Sequence, residues 1–469
     1  MFTRLFLSLL LSMTAAGCKR FVEAIDDPRA AATDEQVRQK WGKSLAELPT
    51  VELVAISAHN DDITDEFEWA FTLWHALEFG QKVDIDWLDV GGGGTTIGQF
   101  IRNSYENSKT GGIDIDILWG GGDILYVDLA AEGLLEQLQL VDDVMENVPP
   151  TLGGMALIDP GRLWVATALS GFGFIYNRQR LTQLGIDEPT TWEDLGSAEM
   201  FGQVCLADPT QSGSALAAYE MIVQSAPDWP GGWSRLMAVL SNASRIVESA
   251  SKAADAPIEG TAAVATAIEF YGVNRVAEAP DVLAFALPAG EAIFTPDAIA
   301  ILKNPLHPQL AQRFVDFVMS PRGQAMLALP PGSEDGPIRK MIQRLPVRRD
   351  VYVTYADKLD LWVPNPYQVR ANVELDMAMR HVRYAVMPRL VKVAAIDNYD
   401  GMRRAKQKLI ETNFPLQRLA EFNLLPDNVL TLEQIRQVGE IFRVDEKQAN
   451  EILAGWREFF RQKYVRVVQ

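Results

Sequence analysis

A short apolar run, VELVAI (51–56), and an alternating one, VDIDWL (83–88), predict two strands. Between and after them, apolar residues recur at helical spacing over 64–79, stopped by Gly80, and over 97–107. IDIDILW (113–119) predicts a third strand, followed by a helix over 126–132 that ends at Gly133. Strand and helix alternating in this way predict an α/β fold on a mostly parallel sheet with right-handed crossovers. Near the C-terminus, Thr431 and Gln434 read as a capping box and Asp445 as a second helix start. The helix after Asp445 carries Ala449, Ile452, Leu453, Trp456, Phe459 and Phe460 as an apolar stripe, which predicts packing onto the rest of the protein or onto a partner.

In open α/β sheets, ligands bind beyond the carboxyl ends of the strands. The residues there are small and polar: Ser57, His59 and Asn60 after the first strand, Gly93, Gly94, Thr95 and Thr96 after the second, Gly121, Gly122 and Asp123 after the third. Glycine lets backbone N–H groups approach a ligand, and helix N-termini add donors and partial positive charge. One such turn would be a tight connection; three at equivalent positions predict a shared binding cleft. The run 91–96 lacks both the lysine of a phosphate-binding P-loop and the GxGxxG order. Ser170 and Gly171 follow a predicted strand at 163–168, and Ser212, Gly213 and Ser214 precede a helix over 215–224, placed to cap it or to hold a ligand oxygen.

The formal net charge of −19 argues against broad nucleic-acid binding, and 48% apolar residues can fill two substantial cores. At the N-terminus, Arg4 precedes an apolar run too short to span a bilayer, which reads as a secretory signal. Ala15-Ala16-Gly17-Cys18 resembles a bacterial lipobox, although Ala15 stands where leucine is usual. Cys18 is then expected to carry lipid, with an ordinary secretory signal as the alternative. Cys205 is expected to be a buried strand thiol, a Cys18–Cys205 bridge being the minority reading.

Several longer passages resemble type II periplasmic solute-binding proteins. These are DILWGGGDILYVDLAAEGLLEQL (116–138), ALSGFGFIYNRQRLTQLGIDEPTTWEDL (168–195), LADPTQSGSALAAYEMIV (206–223) and AIAILKNPLHPQLAQRFVDFVMSPRGQAML (298–327). The third is similar to the Asp-Pro-x-x-Ser-Gly turn of the ferric-iron, sugar-phosphate and aminoethylphosphonate receptors. The resemblance covers about residues 50–412 and implies two lobes: 50–165 with 284–340, and 166–283, the strand at 282–287 being the return crossover. Residues 1–17 would be the signal, 18–49 a tether and helix, and 341–469 a mostly helical extension packed on the lobes. It implies a periplasmic lipoprotein that delivers a small-molecule solute to an inner-membrane ABC permease with its ATPase, without a cofactor.

By the same resemblance Tyr271 is a second-lobe ligand residue, or else core. Ferric receptors present adjacent tyrosines, whereas Phe270 precedes Tyr271 here. An anionic or polyhydroxylated organic solute is therefore expected above iron, with Tyr271 and His59, and Glu269 as a further donor, as the iron alternative. A hydrolase is the remote alternative: Asp61 and Asp62 lie beside His59, but they read as a helix's acidic first turn, and Ser212 lacks a GxSxG elbow.

Overall fold

The computed structural model describes residues 28–91, 93–359, 364–371 and 373–469; residues 1–17, expected to be a signal, and Cys18 lie outside the described residues. The first elements are α1 (Pro28–Trp41), β1 (Thr50–Ser57), α2 (Asp61–Phe79), β2 (Lys82–Leu88), α3 (Gly94–Asn107), β3 (Ile117–Gly122), α4 (Asp123–Ala131) and α5 (Asp142–Asn147). A small hairpin, β4 (Thr151–Leu152) and β5 (Met155–Ala156), leads into the long strand β6 (Val165–Asn177). Then come α6 (Arg178–Leu184), β7 (Val204–Ala207), α7 (Gly213–Gln224), α8 (Trp229–Ser241), β8 (Ala243–Val247) and α9 (Ala250–Asp255). They are followed by β9 (Val264–Ile268), α10 (Glu269–Glu278), β10 (Leu283–Ala286), β11 (Phe294–Ile301), α11 (Pro308–Met319) and α12 (Pro321–Met326).

The C-terminal region opens on β12 (Leu345–Pro346) and is otherwise helical: α13 (Val351–Thr354), α14 (Met377–Tyr384), α15 (Met387–Val391), α16 (Tyr399–Glu411), α17 (Leu416–Asn423), α18 (Leu432–Val444) and α19 (Glu446–Val468). Thr431 does make its capping box with Gln434, and Asp445 caps α19 through the Gln448 N–H. Among the described residues, no helix is long and apolar enough to cross a membrane.

The strands run in the order β2-β1-β3-β11-β6-β9-β7-β8, with β10 and β12 also on β6. The outer groups are parallel, β1 with β2 and β3, and β7 with β8 and β9. The centre departs from the mostly parallel expectation: β11 is antiparallel to both β3 and β6, and β6 to β9. The reason is β6, one 13-residue strand whose first half pairs with β11 and whose second half pairs with β9 and β10. Ser170 and Gly171 thus lie inside a strand, not after one ending at 168. The return to the first half is made between β10, still paired to β6 at residues 174–177, and β11.

Two large cores follow this division. One gathers Phe67, Phe71, Trp119, Phe314 and Phe317 under β1, β3 and β11. The other contains Phe174, Trp192, Tyr219 and Trp233, and the buried thiol of Cys205, which is free. The stripe of α19 packs into this second core, with Trp456 and Phe460 buried and Phe460 at 6.1 Å from the Trp233 ring.

Candidate functional site

The strand ends beyond β1, β2 and β3 meet. A Cβ placed on Gly121 would stand 3.4 Å from Ala58 Cβ and 4.0 Å from Gly94 Cα. The third strand begins at Ile117, later than its sequence pattern suggested, so Gly120 to Gly122 form its last residues and not a turn after it. Gly120 and Gly121 have φ of 82° and 89°, and a Cβ on Gly120 would lie 2.7 Å from the His59 ring, so a side chain is doubly excluded there.

Several expected ligand groups are occupied internally. The Ser57 hydroxyl donates to the Trp119 carbonyl at 2.9 Å and accepts from the His59 N–H at 3.0 Å. Asn60 caps α2, accepting from the Ile63 N–H, and Ser212 caps α7, accepting from the Ala215 N–H. Asp208, at the head of the same turn, takes the Thr210 N–H and hydroxyl and the Gln211 amide. Asp123 is buried, and both its oxygens face Arg380 Nη1 of α14, at 2.7 and 2.6 Å. Asp61 and Asp62 lie in the first turn of α2, as their pattern suggested.

Other groups are free of such duties. The N-terminus of α3 has Gly93 as its N-cap with no side-chain capping bond and no acid in its first turn. Thr95 and Thr96 are exposed there, and the space around Gly93 is open. Gly213 is likewise open, with Ser214 half-buried beside it. No described contact joins Ser212, Gly213 or Ser214 to the turns of the first half.

A buried polar cluster centres on Arg344, which the sequence pattern did not single out. Its N–H bonds to the Leu327 carbonyl, and the adjoining Leu345 pairs with Leu169 of β6, which brings the side chain to mid-β6. The guanidinium donates to the Ser170 hydroxyl at 2.8 Å, forms an ion pair with Asp297, and lies 4.6 Å from the Phe270 ring. Its Nε has no partner. Gly171 is next to Ser170, packed by Leu287 and Phe294. Glu269 is 1% exposed and neither carboxylate oxygen has a hydrogen-bond partner of normal geometry. Burial pushes its pKa up to about 7, the Arg344 charge opposing. Burial also raises the Tyr271 phenol, again against Arg344. His59 sits edge-on against Trp119 with ring centres 4.6 Å apart; burial, then the Arg344 charge, take its pKa down to about 3, so it is a neutral imidazole. Of the residues read from separate passages, Ser170 bonds Arg344 directly, and the Arg344 charge bears through space on His59 and Tyr271.

Residues 117–330 match the family described as bacterial extracellular solute-binding proteins. The phosphoglycerate transport regulatory protein PgtC of Salmonella typhimurium is 31% identical over 189 residues, which is 39% of this chain and 47% of that protein. The chain thus matches about half the length of that relative. An uncharacterised Haemophilus influenzae protein is 26% identical over 256 residues, 53% of this chain and 69% of that protein. Among solved structures, the periplasmic binding protein AfuA of Actinobacillus pleuropneumoniae, with fructose-6-phosphate bound, superposes with a TM-score of 0.55 at 18% identity, covering 70% of this chain and 93% of that one. Iron-bound HitA of Pseudomonas aeruginosa gives 0.52 at 18% identity, covering 72% and 98%. Residues 117–330 thus match the bacterial extracellular solute-binding proteins, and the chain shares the type II periplasmic-binding-protein fold of these solved structures.

Proposed function

We propose that the protein is the periplasmic receptor of an ABC importer and captures a small anionic or polyhydroxylated organic solute between two lobes, 50–165 with 284–340 and 166–283. The observation that carries the anionic part is the α3 N-terminus: uncapped by any side chain, free of acidic residues in its first turn, and beside Gly121. Its backbone N–H groups and those at Gly213 and Ser214 suit phosphoryl, phosphonate or carboxylate oxygens. The unpartnered Arg344 Nε adds a cationic donor, and the Glu269 oxygens suit solute hydroxyls. No catalytic step is assigned to these groups.

The iron reading rests on Tyr271 and His59 in the same cluster. Against it, the position beside Tyr271 is the apolar ring of Phe270, which packs on Arg344, and a fixed guanidinium repels a trivalent cation. Calorimetric titration with fructose 6-phosphate, 3-phosphoglycerate, 2-aminoethylphosphonate and ferric citrate separates the classes. Binding of a phosphate or phosphonate that Thr95→Ala weakens supports the anionic reading; binding of iron alone contradicts it.

Anchoring through Cys18 and delivery to an inner-membrane permease with its ATPase belong to the same proposal. Cys18→Ser expressed in a Gram-negative host is expected to accumulate precursor and lose palmitate label; normal labelling would exclude the anchor.

A further inference from the structure

The C-terminal helices share one core with the second half of the sheet. Tyr464 and Val467 of α19 lie in the same buried cluster as Leu236 and Leu240 of α8, and Trp229 Nε1 donates to the Val429 carbonyl at 2.8 Å. Lys406 of α16 donates to the Gly196 carbonyl at 3.0 Å. Helix α14 is tied to that body. Arg383 forms a buried ion pair with Glu220 of α7, and Asp376, the N-cap of α14, exchanges two hydrogen bonds with Gln224.

Three residues before Arg383, and so on the same side of α14, Arg380 reaches the opposite half. Its partner Asp123 is the first residue of α4, directly after the glycine end of β3. Both side chains are buried, Arg380 at 8% and Asp123 at 2% exposure. Two weaker contacts lie on the same side: the Leu375 N–H donates to the Gly153 carbonyl at 3.2 Å, and His381 stands 3.9 Å from Asp128.

We propose that Arg380 and Asp123 form a latch that holds the cleft closed in the absence of solute. The inference rests on the two-lobed reading above. Helices α14 to α19 travel with the second lobe as one body, while β12 and α13 pack on the first, so rotation about β6 and the neighbouring crossings carries Asp123 away from Arg380 and leaves Arg383–Glu220 intact. Opening must then strip two buried charges of their partner, which biases the unliganded protein toward the closed arrangement. A solute enters less often but finds the α3 and α4 ends already assembled.

Small-angle scattering of the mature protein without solute tests this. Wild type and Arg383→Gln are expected to give one compact radius of gyration, and Arg380→Gln a larger one. Both variants remove a buried ion pair from one helix, so general destabilisation moves them together. Asp123→Asn, nearly isosteric, replaces Arg380→Gln if the latter does not fold. An unliganded wild type that is already expanded, an Arg380→Gln or Asp123→Asn protein that scatters like wild type, or equal expansion of Arg383→Gln overturns the latch. If 3-phosphoglycerate or fructose 6-phosphate contracts an expanded form, the two-lobed reading stands even where the latch falls; if no variant and no probe changes the scattering, that reading falls too.

Discussion

Glu269 and Arg344 are buried in one site and do not bond to each other. Arg344 gives its hydrogen bonds to Ser170 and its ion pair to Asp297, leaving its own Nε without a partner and the Glu269 oxygens without a hydrogen bond of normal geometry. Unsatisfied buried polar groups are costly, and a bound solute that supplied the missing partners would offset that cost.

Replacing Arg344 by glutamine leaves Asp297 without the guanidinium paired to it. Loss of one partner of a buried ion pair costs about 3 kcal/mol, and binding of an anionic solute is expected to fall at least roughly tenfold, since a charge-assisted hydrogen bond contributes about 1.5–3 kcal/mol. Urea unfolding and calorimetry read the two effects separately. A variant of unchanged affinity would remove Arg344 from the site.

The Glu269 carboxyl gives stability a pH signature. Its pKa is 4.5 in an unperturbed chain and about 7 in the fold, so between these values the unfolded chain loses a proton that the folded protein keeps. The folded protein is then penalised as pH rises through that window, by about 3 kcal/mol once above it. Glu269→Gln has no such proton to lose. The stability difference between variant and wild type should therefore move in the variant's favour from pH 4.5 to 8, measured by urea unfolding; parallel profiles would show Glu269 to be ionised throughout.

Ser212 and Thr95 occupy helix starts but answer differently to alanine. Ser212 already caps α7, so its loss is expected to cost about 1 kcal/mol of stability. Thr95 is exposed at an uncapped end, so its loss should leave the melting temperature unchanged and weaken solute binding by roughly ten- to a hundredfold if its hydroxyl bonds a charged oxygen. Melting curves and titrations of the two variants check the contrast.

The C-terminal extension is a structural part of the second half. Phe460→Ala empties a fully buried site against Trp233 and is expected to cost about 3–5 kcal/mol, read as a lower urea midpoint. Cutting after Glu411 removes α17, α18 and α19 together and should unfold the second half; a folded truncation with native near-ultraviolet circular dichroism would contradict this.

What was legible in the sequence was local. Gly80 ends α2 in the left-handed conformation, and Thr431 and Gln434 make their capping box, each a consequence of neighbours in sequence, while the meeting of the β1, β2 and β3 ends followed from the parallel order of those strands. The antiparallel centre was not, because β6 reads as two segments until both its halves find different partners. Arg344 lies 174 residues from Ser170, in a stretch where several arginines look alike, and Asp297 lies inside an apolar strand. Asp123 looked like a ligand residue because its partner, Arg380, is 257 residues away. Residues that work through such distant pairs leave no spacing to read.

The most direct measurement is a thermal melt of the mature protein with fructose 6-phosphate, 3-phosphoglycerate, 2-aminoethylphosphonate or ferric citrate, each in large excess. A ligand that binds only the folded state at a hundred times its Kd adds about 2.7 kcal/mol and raises the melting temperature visibly. A phosphate or phosphonate is expected to do so, and Thr95→Ala to diminish the shift. A shift with iron alone, accompanied by a visible phenolate-to-iron absorption band and abolished by Tyr271→Phe, would contradict the anionic-solute reading and make Tyr271 and His59 the site.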